Sequence, residues 1–427
     1  MAIPLPPTLE LPDTGGMSVS PTLAINQEIA RRRELGLHTV ALGFGEASIP
    51  VHPSLVQRLG AAAASASYGP VAGAAELRDA VAGYLARRGI PTEAGHVLAG
   101  PGSKPLLYAI FQALGGPVAL PRPSWVTYAA QTAMLGLVTH LVPTSPGQGG
   151  VPDPELLDAL AERSAAAGTP LRAVLVTIPD NPTGTVADAD VVRRLCDVAA
   201  RHDLVVISDE IYGDLVHDGT RPLTPASLVP ERTIVTTGLS KNLALGGWRI
   251  GVARIPDPLA EVRAAVEVAA SEIWSSPANP VQRAAAWAFT EPEELVERIA
   301  ASRLLHARVA RAVAERFAAA GASVPPPTAG FYLYPTFTDL AMGSAEELAG
   351  ALLHDHGIAT LPGTAFGDDP GRLSLRIATP MLYGSTADER LAALDSDSPA
   401  DLPWIAADLD RLSVALDAVT GRVTAPA

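Results

Sequence analysis

Thr236-Thr237-Gly238-Leu239-Ser240-Lys241-Asn242, followed shortly by Gly247-Trp248-Arg249-Ile250-Gly251, is the stretch around which the rest of the chain can be placed. Residues 233–237 read as a strand, the glycine-rich run as a turn, and 250–254 as a further strand. Only two lysines, Lys104 and Lys241, occur in 427 residues, among 31 basic ones. Arginine keeps its proton at any workable pH, whereas a lysine amine can be tuned to act as a nucleophile or Schiff-base partner. A bias towards Ala, Arg and Gly would also leave few lysines, so the surroundings of Lys241 must decide.

Outward from that stretch, short Val/Ile/Leu runs alternate with amphipathic helical segments. Strands are expected at 97–99, 118–120, 137–142, 172–178 and 204–207, with helices at 104–114, 125–134, 155–167 and 188–202 between them. This alternation predicts an α/β fold with a mostly parallel sheet flanked by helices on both faces, and ligands beyond the carboxyl ends of the strands. After Pro258 come helices at 259–273, 280–289 and 293–320, then a smaller α/β unit with strands at 331–337, 358–361 and 373–377 and a last helix at 408–418. Residues 1–20 read as a Pro-rich arm. The acidic segment 386–407 reads as a surface insertion, with a lid as the alternative.

Composition narrows the function classes. A net charge of −14 argues against a nucleic-acid partner, which would need clustered basic residues. The single cysteine, Cys196, allows no disulfide framework and no thiolate cluster, and the nine histidines show no metal-ligand spacing, so no metal is expected. No signal-peptide pattern opens the chain, and no apolar run reaches the ~18 residues of a membrane span. A cytoplasmic setting is therefore expected.

Several polar clusters fall where strands should end. Pro179-Asp180-Asn181-Pro182-Thr183-Gly184 is either a simple turn or a ligand loop. Asp209 is either a capping carboxylate or a group at a strand end facing the crevice, with Tyr212 close behind on the same side. Gly100-Pro101-Gly102-Ser103-Lys104 opens a helix whose free N–H groups suit a phosphate, and Arg249 could add a second anion contact. Arg376, between Leu375 and Ile377 in a strand, needs a partner, and a ligand carboxylate is one candidate. There is no Gly-x-Gly-x-x-Gly and no P-loop. An amine, a carboxylate, a phenol, a phosphate cradle (102–104 with Arg249) and a carboxylate clamp together match what pyridoxal phosphate requires.

The chain resembles fold-type I pyridoxal-phosphate enzymes of the aspartate aminotransferase superfamily, class I/II, from about Pro21 to Val423. The motifs that carry the resemblance are Asn181-Pro182-x-Gly184, Asp209-x-x-Tyr212, Ser240-Lys241 with Gly247-Trp248-Arg249-x-Gly251, Pro362-Gly363-x-x-Phe366-Gly367, and Arg376. The resemblance implies a large domain with a seven-stranded, mostly parallel sheet and a smaller α/β domain built from the N-terminal segment and the C-terminal part. The expected division is 1–50, 51–290 and 291–427. It implies Lys241 as the Schiff-base lysine, Asp209 as partner of the pyridine nitrogen, and Tyr212 with Asn181 as contacts of the ring hydroxyl. Gly102, Ser103, Lys104 through its amide, Ser240 and Arg249 would hold the phosphate, and Trp125 would stack on the ring. Gly45, Asn181, Trp125 and Arg376 would meet the substrate. Tyr68 and Ser275 resemble residues that reach a neighbouring subunit's phosphate, which implies a homodimer with shared active sites.

The implied reaction is transamination, from an L-amino acid to a 2-oxo acid through a Lys241 aldimine and a pyridoxamine phosphate form. Three departures touch the site. Gly238 stands where many members carry a phosphate-binding Ser. Gly45-Glu46-Ala47-Ser48-Ile49 replaces Gly-Glu-Pro-Asp-Phe, and Ala378-Thr379-Pro380 follows Arg376. They motivate a second reading, a pyridoxal-phosphate lyase or cyclase of specialised biosynthesis. A non-catalytic regulator is a third, disfavoured by the negative charge and the lack of a helix-turn-helix before residue 20. Lys104 resembles a lysine that reads a substrate's distal carboxylate.

Overall fold

A computed structural model of the chain describes residues 19–421. The Pro-rich arm expected over 1–20 lies almost wholly outside the described residues. Seven strands form the main sheet, in the order Val97–Gly100, Gly251–Arg254, Thr233–Gly238, Val205–Asp209, Ala173–Thr177, Val118–Arg122 and Thr139–Pro143. Gly251–Arg254 runs antiparallel to both neighbours. The other pairs are parallel.

The strands are Val/Ile/Leu runs because both faces are covered. Ala173, Leu175, Ile207, Ile234 and Ala253 pack against the helices Ser103–Leu114 and Ala260–Ile273. Val174, Val176 and Val206 point the other way, towards Pro154–Ala166 and Ala189–Arg201. That switch of face every residue is the pleat of a strand. The helix Ala189–Arg201 answers it with a buried stripe of Val191, Val192, Leu195, Cys196, Val198 and Ala199. At the start of Pro154–Ala166, the Asp153 carboxylate accepts from the amides of Glu155 and Leu156, which caps the helix.

The N-terminal segment joins the C-terminal part through a short parallel pair, Val40 against Ile358 and Ala41 against Ala359. Beside it, Leu373–Ala378 pairs antiparallel with Thr336–Phe337, Leu361–Pro362 and Tyr332–Leu333. The 27-residue helix Glu293–Ala319 places Leu305, Val309, Val313 and Phe317 against Ile405, Leu409, Leu412 and Leu416.

The acidic segment 386–407 departs from the surface insertion expected of it. It holds the helix Ala387–Asp395, started by a capping box between Thr386 and Glu389. Ala393, Leu394 and Ile405 enter the core while Asp388, Asp395 and Asp397 face solvent. The last helix, Pro403–Thr420, also begins earlier than the expected 408, since Pro403 suits a first helical turn. None of these residues lines the cleft described next, so the lid alternative is not supported either.

Candidate active site

Three parallel strands end side by side at the same edge. Ala173–Thr177 leads into Asn181, Val205–Asp209 ends on Asp209 itself, and Thr233–Gly238 leads into Ser240 and Lys241. A cleft of about 510 Å³ opens above them. It gathers Gly45, Ser103, Lys104, Trp125, Asn181, Asp209, Tyr212, Ser240, Lys241, Arg249 and Arg376. The crevice at the carboxyl ends of a parallel sheet is where such folds bind ligands.

Lys241 donates from Nζ to the Gly45 carbonyl at 2.6 Å. Asp209 is buried, and its Oδ2 accepts from the Tyr128 hydroxyl at 2.8 Å. Since that proton goes to Asp209, the Thr177 hydroxyl, 3.0 Å away, donates to Tyr128. Burial pushes the Asp209 carboxyl up to about 6, against the hydrogen bond from Tyr128, the nearby Thr236 hydroxyl and Ile211 amide, and the charge of Lys241. The Thr236 and Ile211 groups temper the carboxylate without giving Oδ1 a hydrogen bond of ordinary geometry. Oδ1 of Asp209, like Oδ1 of Asn181, is buried and unpaired among the described residues. The Tyr212 phenol is raised well above its usual range, mainly by burial, and its hydroxyl meets that of Tyr332 at 2.9 Å.

The side of the cleft expected to meet the phosphate is built by close backbone approach. Arg249 sits in the left-handed region (φ 54°, ψ 59°) and donates to the carbonyls of Gly246 at 2.8 Å and Pro101 at 3.2 Å. Gly102, at φ 94°, caps the helix Ser103–Leu114, and a Cβ there would overlap the Arg249 guanidinium. The helix therefore presents its first N–H groups beside that guanidinium. Lys104 lies 5.1 Å from the centre of the Trp125 ring. Partial burial holds its ammonium below the usual lysine range, helped by the charges of Arg249 and Lys241.

Arg376 closes the opposite side. It is 1% exposed, donates from Nη2 to the Gly43 carbonyl at 2.6 Å, and stacks near Tyr332 and Phe366. Its Nε has no partner, and among the described residues no carboxylate reaches it. Burial lowers its pKa from the ordinary arginine value.

Two residues expected at the site stand apart from this cleft. Tyr68 is 94% exposed and Ser275 is exposed at φ 60°; neither lines it. Tyr128, Thr177 and Tyr332 also line the cleft, and none of them is marked by the sequence motifs. Tyr128 had one available signal, since it follows Trp125 by three residues and so shares its helix face. Gly238, the departure from the phosphate-binding Ser, has a local reason. It pairs with Gly251 across the antiparallel ladder, and a Cβ on it would lie 2.8 Å from the Ile250 carbonyl.

The donor set fits pyridoxal phosphate. An amine, an unpaired buried carboxylate oxygen, an unpaired amide oxygen, an aromatic wall and a guanidinium at a helix N-terminus face one cleft. The fold and this site define a pyridoxal-phosphate enzyme of fold type I. The profile of the family aminotransferase class I and II matches residues 40–393, and the chain belongs to that family. It is similar to a probable aspartate/prephenate aminotransferase of Thermus aquaticus, 34% identical over 82% of this chain and 90% of the relative. The aspartate aminotransferase of Geobacillus stearothermophilus is 29% identical, covering 88% of this chain and 96% of the relative. Among solved structures, the aspartate aminotransferase from Thermus thermophilus with maleate superposes with a TM-score of 0.81 at 27% identity, over 95% of this chain and 100% of that one. The protein is thus a pyridoxal-phosphate-dependent aminotransferase, and nothing in these likenesses favours the lyase or cyclase reading.

Proposed function

We propose that the amino donor is a dicarboxylic L-amino acid such as aspartate, with a 2-oxo acid as acceptor. The observation that carries this reading is the pair of cleft cations, Arg376 and Lys104, neither with an ion-pair partner among the described residues. Arg376 would grip the α-carboxylate in bidentate fashion, and Lys104 would meet a distal one. The names of the relatives, aspartate and prephenate aminotransferases, support the same substrate class.

Bound pyridoxal phosphate supplies the electron sink that acidifies the Cα–H of the amino acid. The chain's own groups do the rest. Asp209 would hold a proton at the ring nitrogen, Tyr212 and Asn181 would hydrogen-bond the ring hydroxyl, and Trp125 would stack on the ring. Ser103, Ser240, Arg249 and the amide of Lys104, with Gly102 leaving room, bind the phosphate. Lys241 would anchor the cofactor and, as base and acid, would move the Cα proton.

We also propose a homodimer in which Tyr68 and Ser275 act at the partner's site; the exposure of a large aromatic such as Tyr68 supports it. The division into 1–50, 51–290 and 291–427 is proposed with it. Two features support a small domain built from both ends of the chain: the pairing of Val40 with Ile358, and a core that joins Val40 and Leu42 to Leu305, Val309 and Val313. A cytoplasmic location is proposed as well; no helix among the described residues is long and apolar enough to cross a membrane.

The test is a half-reaction. The cofactor-loaded protein is mixed with single amino acids and no acceptor, and the 2-oxo acid released is counted. One equivalent per site, greatest with aspartate or glutamate, is expected. Repeated turnover without an acceptor would overturn transamination, and a preference for uncharged amino acids would overturn the dicarboxylic donor.

A further inference from the structure

A second cleft, of about 440 Å³, opens away from the active site. It lies between the C-terminal half of the helix Pro21–Glu34, residues 37–41, and the segments 381–390 and 404–411. Three guanidiniums line it, those of Arg33, Arg390 and Arg411. Two carboxylates, Glu389 and Asp408, share the lining, so the cleft carries one positive charge in excess in a chain whose net charge is −14.

The acids beside them are already committed. Glu389 Oε2 accepts from the Ser385 amide at 2.7 Å, the Ser385 hydroxyl at 2.8 Å and the Thr386 amide at 3.1 Å. Asp408 accepts from His38 Nε2 at 2.8 Å and stands 3.7 Å from Arg411. Arg411 is thus ion-paired, and the other two arginines are less engaged. Arg33 has no ion pair among the described residues, and Arg390 spends only Nε, on the Gly384 carbonyl at 2.9 Å. Apolar wall comes from Ile29, Leu37 and Trp404, whose indole N–H is fixed on the Tyr383 carbonyl at 3.1 Å.

We propose that this cleft binds a small, multiply charged oxyanion of the phosphate-monoester or diphosphate class, and that its occupancy acts on the active site. Planar guanidinium forks match phosphate oxygens, and Arg33 and Arg390, which no carboxylate holds among the described residues, offer two of them. The apolar wall leaves space for an organic group beside the anion.

Two physical links lead to the active site. The helix Pro21–Glu34 carries Thr22 and Leu23 on the active-site cleft and Ile29 and Arg33 on the second one. Thr22 and Arg33 are about 16 Å apart along that helix, at the rise of an α-helix. Met381 lines the second cleft and accepts from the Ser48 hydroxyl at 3.0 Å. Ser48 holds a left-handed backbone (φ 29°) in the loop that carries Phe44, Gly45 and Glu46 into the active site. An anion drawing Arg33 towards Arg390 and Arg411 bears on both links, and the effect on substrate affinity follows from that differential contact.

The experiment titrates the cofactor-loaded full chain with inorganic pyrophosphate at constant ionic strength by calorimetry, while the visible absorbance of the bound cofactor is followed. One saturable site per chain is expected, weakened by about 10-fold or more in Arg33→Gln and in Arg411→Gln. The cofactor absorbance should not change. Saturating pyrophosphate should shift KM for the amino donor by about 5-fold in the wild type and not in either variant. Both variants should keep the wild-type kcat without pyrophosphate, which shows that they fold. Absence of saturable binding, wild-type affinity in both variants, displacement of the cofactor, or an unchanged KM would each overturn the proposal. The binding measurement does not depend on the amino donor, so its failure leaves the proposed function standing.

Discussion

Tyr212 and Tyr332 meet hydroxyl to hydroxyl at 2.9 Å, 120 residues apart in sequence, and both are buried. The Tyr332 hydroxyl also lies 3.5 Å from the Gly45 carbonyl, the group that holds Lys241. One neutral hydrogen bond thus ties the phenol proposed to meet the cofactor to the loop proposed to meet the substrate. Tyr332→Phe keeps the ring over Arg376 and removes this link. A fall in kcat of about 2- to 10-fold with a smaller change in KM is expected, as for the loss of one hydrogen bond. Steady-state kinetics check it; an unchanged kcat would show that Tyr332 only fills space.

Arg376 is a buried cation whose acceptor among the described residues is the Gly43 carbonyl. Such a charge is costly until a carboxylate arrives. Arg376→Met should therefore raise KM for the amino donor by about 10- to 150-fold, the range of a charged hydrogen bond. The Tm of the cofactor-free protein should stay level or rise. A marked drop in Tm would mean that Arg376 supports the fold rather than the substrate.

Burial pushes two further acids up to about 7, Asp180 and Glu210. A carboxyl with a folded pKa above its unfolded one stabilises the protein fully at low pH and loses that contribution as pH rises through the folded value. For Glu210 the window runs from its ordinary 4.5 to about 7. Glu210→Gln removes the titration while leaving a polar partner for Thr224 and Ser208. Its stability relative to wild type should rise across that window, by at most about 1.4 kcal/mol per pH unit. Denaturant melts at several pH values across that window measure the slope, and a constant difference would refute it.

Gly238→Ser would introduce the residue that many family members carry. Here the added Cβ approaches the Ile250 carbonyl to 2.8 Å. The variant should lose about 1–3 kcal/mol of stability, the usual cost of overpacking, without binding the cofactor more tightly. Chemical denaturation and cofactor titration decide between this and a gain in affinity.

Much of the candidate site was legible in the chain. Lys241 stood out because lysine is nearly absent, and Asp209 because it follows a run of Val and Ile that reads as a buried strand. Tyr128 and Tyr332 were not legible. Each lies in a segment that reads as ordinary helix or strand, and its role depends on which distant residue its hydroxyl meets. The acidic segment 386–407 misled for a related reason: its charges dominate its composition, while a few residues, Leu394 and Ile405 among them, decide where it packs.

Local periodicity, and residue types with few other uses, were enough to read from the chain its alternation of strands and helices, its cofactor chemistry and the strand ends proposed to carry it. Packing was needed to see that Gly238 has no room for a side chain, that Arg376 lacks a carboxylate among the described residues, and that a second cleft shares a helix with the first. Those facts depend on distances between segments far apart in the chain, and distance across the fold is set by packing rather than by spacing along it.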